Sequence, residues 1–99
     1  MKNKKELEIS INRITEMERI YVQVRNKMDA GIDLHEDITF KKMIQTLEDY
    51  YESGQWLKDY EADERGELPS DLKRGVLSQD GIYDLLCEID QRGGIRNGK

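Results

Sequence analysis

Leu7, Ile11, Ile14, Met17, Tyr21, Val24 and Met28 step through the first third of this chain by three or four residues at a time. That interval returns side chains to one face of an α-helix, and nothing else in the sequence constrains the fold as strongly. The stripe predicts one helix over residues 7–30, about 35 Å long, with Gly31 as a left-handed stop. Ile9, Ile20 and Val22 lie beside the stripe and widen the apolar sector to an arc of about 220°. A surface helix in a monomer needs only about half of that arc. The spare circumference predicts packing on the helix's own domain with one side and on a partner with the other, a symmetric dimer being the commonest such solution. Ile9, Ile20 and Val22 are therefore the candidate interface residues. Glu18 and Arg25 fall inside the sector, where unpaired charge is costly; an antiparallel contact between two copies would let each find its counterpart.

Three further helices follow. Asp33 and Glu36 stand at capping-box spacing with Ile32 placed as a staple, while β-branched Ile38 and Thr39 weaken the early turns and allow a start near Asp37. The second helix carries Leu34, Ile38, Met43 or Ile44, Leu47, and Tyr50 or Tyr51, and ends at Gly54. So short a connector makes the first two helices an antiparallel hairpin. Ser53 is placed to cap a third helix through Trp56, Tyr60 and Glu64, stopped by Gly66. Pro69 holds Leu68 extended, and residues 71–74 are read as one short helical turn. Ser78 caps a last helix, with Asp80 at the favoured end of its dipole; Ile82, Leu85, Leu86 and Ile89 form its apolar face. The expected fold is all-α: a long N-terminal antiparallel helical hairpin plus two shorter C-terminal helices in a four-helix arrangement. It is expected as a single domain over residues 1–99, ordered from about 6 to 92, with a loose tail over 93–99.

Ninety-nine residues suffice for one core, and the core is lean: 36% of residues are apolar and 37% charged. One Trp, five Tyr and one Phe are available to anchor it. The formal net charge of −5 disfavours nucleic acid and anionic membranes as partners. The charge is uneven: residues 1–30 hold 7 basic and 5 acidic side chains (+2), residues 48–67 hold 2 basic and 8 acidic (−6). The acidic stretch either meets a basic protein partner or keeps the domain soluble. Cys87 is the single cysteine, so no internal disulfide is expected; it is read as a small buried hydrophobe. Residues 1–5 are charged and no apolar run follows, so neither a secretory leader nor a membrane span is expected. The expected compartment is the cytoplasm.

The run LEDYYESGQWLKDYEADERGELP over residues 47–69, followed by DLKRGVLSQDGIYDLL over 71–86, resembles a bacterial family, domain of unknown function 4298. The resemblance covers essentially the whole chain, most specifically residues 47–86. It implies a small, intracellular, helical protein with no established activity, and it carries no functional residues over.

Several groupings carry possible chemistry. Asp59 and Asp63, four apart on the third helix, share a face that Asp49 or Glu52 of the preceding helix could approach; a few such oxygens suit a hard divalent cation. The bland alternative is a solvated helix face. Lys73 and Arg74, followed by Ser78 at a helix start, could cradle a phosphate or other small anion, but Asp80 competes for the same positive end and the two cations could instead pair with Asp59, Asp63 or Glu64. Trp56 and Tyr60, with Tyr50, Tyr51 and Tyr83, are either core aromatics with phenols at the surface or a binding surface. His35, the only histidine, has no nucleophile beside it. Neither a resident metal nor a cofactor is expected. The leading functional expectation is a non-catalytic assembly module that pairs with itself through the first helix and offers an acidic face to another protein. The alternative is a small metal- or phosphate-binding protein or enzyme using Asp59 and Asp63 or Lys73 and Arg74.

Overall fold

The computed structural model describes residues 4–33 and 36–91. Four α-helices appear in chain order: α1 (Lys4–Asp29), α2 (Ile38–Glu52), α3 (Gln55–Glu64) and α4 (Gln79–Gln91), with a 3₁₀ turn at Gly75–Leu77 before the last. Among the described residues there is no strand. The fold is the all-α arrangement expected, a long helical hairpin followed by two shorter helices.

α1 starts a turn earlier than its apolar stripe, because Lys4, Lys5 and Glu6 are good helix formers and Glu6 sits in the favourable first turn. Its C-terminus closes as a Schellman motif: Gly31 N–H donates to Met28 O and Ile32 N–H to Lys27 O, each near 3.0 Å, with Gly31 at φ 75°. The capping box predicted at Asp33 does not form the start of α2. The helix begins at Ile38, where the Asp37 carboxylate accepts from Phe40 N–H at 3.1 Å. Lys27 Nζ lies 3.3 Å from the other Asp37 oxygen, so the cap that starts α2 is also tied to the end of α1. Held by that backbone bond and by Lys27, the Asp37 carboxyl lies below its ordinary pKa.

Gly54, at φ 94°, is the N-cap of α3 in place of Ser53; only a residue free of Cβ crowding takes that left-handed turn at little cost. Ser53 Oγ still accepts from Gln55 N–H at 3.3 Å. The short helical turn expected over 71–74 is absent. Residues 69–72 form a turn closed by Leu72 N–H to Pro69 O, and helical geometry begins only at Gly75. Ser78 caps α4 as expected, its Oγ accepting from Gly81 N–H at 3.3 Å. Residues 34, 35 and 93–99, on which the Leu34–His35 part of the capping box and the loose tail were read, lie outside the described residues.

The core joins all four helices and the 3₁₀ turn. Ile14, Val24 and Met28 from α1 meet Phe40, Ile44 and Leu47 from α2, Val76 from the turn, and Ile82, Leu85 and Ile89 from α4. α1 packs on both α2 and the 3₁₀ turn, and α4 packs on that turn. α4 also comes close to α1 near its start, where a Cβ on Gly81 would lie 2.6 Å from the Tyr21 hydroxyl. More than one side of α1 is thus covered by its own chain.

Candidate functional site: a groove along the first helix

Asp59 is fully buried on α3, and three donors meet it. Arg13 of α1 makes a bidentate pair, Nη2 to Oδ1 at 2.7 Å and Nε to Oδ2 at 2.9 Å. Tyr50 Oη of α2 donates to Oδ2 at 2.7 Å. Burial and the adjacent carboxylate push the Tyr50 phenol well above its ordinary pKa, and the bond to Asp59 raises the Arg13 guanidinium. One carboxylate therefore pins three helices together. Fully buried and bonded to three protein donors, the carboxylate is engaged in holding the fold together.

Asp63, one turn on, is turned to a different partner: its Oδ1 accepts from Arg74 Nη1. Arg74 also donates from Nη2 to Pro69 O and, at 3.1 Å, from Nε to Leu72 O. The guanidinium folds the 69–74 segment on itself and fastens it to α3. Asp59 and Asp63 are neighbours in sequence spacing, yet nothing makes them a joint site; among the described residues no three His, Cys, Asp or Glu side chains are grouped to hold a metal ion. The anion pocket read from Lys73, Arg74 and Ser78 is not assembled either. Arg74 faces α3, Lys73 is exposed beside α1, and the Ser78 hydroxyl caps α4.

Trp56 is 5% exposed, and its Nε1 donates to Val76 O at 2.9 Å. Tyr60 stacks on the Trp56 ring at 5.1 Å between centroids, and Tyr51 meets the same ring in a tilted contact at the same separation. Trp56 is thus a core aromatic, with half-buried Tyr60 as its cover. The Tyr60 phenol is raised above its usual pKa by the nearby Glu64 carboxylate. Cys87 is half-buried rather than buried, beside the exposed Tyr83, whose phenol it raises.

The other peptide group of Val76 is taken by α1. Glu18 Oε1 accepts from Val76 N–H at 2.7 Å. Glu18 thus finds its partner inside the same molecule, and Arg25 has Glu88 of α4 at 3.8 Å; neither needs the antiparallel copy that the sequence suggested. Arg13 was the signal overlooked. On a helical wheel it falls between Ile20 and Val24, at about 20° from each, inside the apolar sector where a cation demands a carboxylate.

The interface candidates divide. Ile20 is 6% exposed, covered by its own chain, and leaves the set. Ile9 and Val22 remain exposed at 52% and 44%, but about 140° apart round α1 and about 20 Å apart along it, so they do not form one seam. Val22 has the richer surroundings. With Ile11 and Thr15 it makes one wall of an open groove of about 680 Å³, whose other wall is Pro69, Leu72 and Lys73. Glu18 and Arg19 of α1 and Asp71 of the facing segment also line it. The volume is within the range of ligand and peptide clefts, about 300–1,000 Å³, and the walls are chiefly apolar.

The family model described as domain of unknown function (DUF4298) matches residues 14–92. The chain belongs to this family. The match spans every element that builds the groove except the start of α1. No curated protein and no solved structure matches the chain. For this DUF4298 member the groove, together with the polar ties that hold its walls, is the candidate functional feature. No helix among the described residues is long and apolar enough to cross a membrane.

Proposed function

We propose that this DUF4298 member is a non-catalytic interaction module of a bacterial cytoplasm that associates with copies of itself. One observation carries the reading: Val22, 44% exposed, sits with Ile11 and Leu72 in an open apolar groove on the outer flank of α1. Asp59, Asp63 and Glu18 are engaged in holding the fold, Asp59 by Arg13 and Tyr50, Asp63 by Arg74, and Glu18 by Val76 N–H. The groove's chemistry is therefore that of a surface to be covered. The single cysteine and the resemblance to a bacterial intracellular family support the compartment.

Light scattering from about 1 to about 200 μM tests this, since association at a small apolar interface is expected in the micromolar range. The wild-type chain should gain mass across the series. Val22→Glu should raise the dissociation constant about tenfold or more while leaving the far-ultraviolet circular dichroism unchanged. A wild-type monomer throughout would remove the reading.

A further inference from the structure

The groove has a counterpart on the same chain. Leu57 and Glu61, four apart on α3, share the helix's outer face, and Lys58 stands on the flank beside Glu6 and Ile9 of α1; Leu57 is 49% exposed, and the two charged residues are exposed as well. The groove presents the matching pattern in reverse sign: apolar Val22 and Leu72, with Asp71 and Lys73 on one wall. Among the described residues, none of Lys58, Glu61, Asp71 and Lys73 enters an ion pair.

Resting on the self-association proposed above, we infer that the occupant of the groove is the outer face of α3 from a second copy. Leu57 enters between Val22 and Leu72, Glu61 meets Lys73, and Lys58 meets Asp71. The opposite charges fix the register, and the apolar contact supplies the affinity.

Charge exchange tests the pairing. Lys73→Glu and Glu61→Lys alter exposed side chains outside the core, and circular dichroism verifies that each variant folds. Each alone should weaken association about tenfold or more by light scattering. An equimolar mixture of the two should regain wild-type association, because Glu at 73 then faces Lys at 61 while the native pair forms at the reciprocal contact. A wild-type chain that stays monomeric sinks both this inference and the function it rests on. A wild-type chain that associates but ignores either reversal, or a mixture that does not recover, overturns only the α3 assignment.

Discussion

The two edges of α1 carry the same kind of residue and end in different states. On one edge Arg13 reaches a fully buried carboxylate, Asp59, and the bidentate grip draws α3 against the helix. On the other, Glu18 holds the 3₁₀ turn by a single bond to a backbone N–H, and the segment leading to that turn stands away from α1 to leave the groove. A planar fork on a carboxylate fixes distance and angle together. A single bond fixes a point and lets the rest of the segment diverge. An apolar sector wider than one neighbour can cover is thus closed on one side and left open on the other, and each charge within it marks where another element is clamped.

The largest expected effect breaks the closed edge. Asp59→Ala leaves a part-buried guanidinium and the Tyr50 hydroxyl without their acceptor, and should cost about 3–5 kcal/mol in denaturant unfolding. A loss under about 1 kcal/mol would mean the network is not what holds the three helices. Glu18→Ala tests the single clip: an unbonded, part-buried Val76 N–H should cost about 1–3 kcal/mol, with Glu18→Gln recovering much of it.

Tyr50→Phe sharpens the same comparison through pH. Its phenol is raised from the ordinary value of 10.0. The stability it contributes is therefore fully present below about pH 10 and is lost as pH rises toward the folded-state value. Above pH 10 the wild type should lose about 1.4 kcal/mol per pH unit more than the Phe variant. Parallel alkaline slopes in urea titrations would refute the buried-phenol assignment. At the open edge the expected change in stability is smallest: Val22→Glu should shift the unfolding free energy by no more than about 0.5 kcal/mol, its effect falling on association instead.

The hairpin was legible because its information is local. The three-and-four stepping from Leu7 to Met28, Gly31 as a stop and Ser78 as a cap act within a turn or two of themselves. The start of α2 was less so: Asp33 and Asp37 are both competent caps, and Lys27, a residue of the other helix, favours the second. The polar ties were hidden for a different reason. Arg13 and Asp59 are 46 residues apart, and the partner of Glu18 is a main-chain N–H that no side-chain pattern announces. Ile20 was placed on the outside by its wheel angle alone, whereas the surrounding elements wrap α1 farther round than one helix neighbour would. The groove depends on where the 69–74 segment runs, and that path is set by Arg74, which satisfies two of the segment's own carbonyls and reaches Asp63.

Val76 has its N–H taken by Glu18 and its carbonyl by Trp56 Nε1, so the two peptide units that flank its Cα are gripped from two helices. Trp56 is also the chain's only tryptophan. Its indole emission therefore serves as an intrinsic optical gauge of whether the 3₁₀ turn is seated, free of background from any other indole. Undocking of the C-terminal half can be timed separately from melting of the hairpin, with no dye attached.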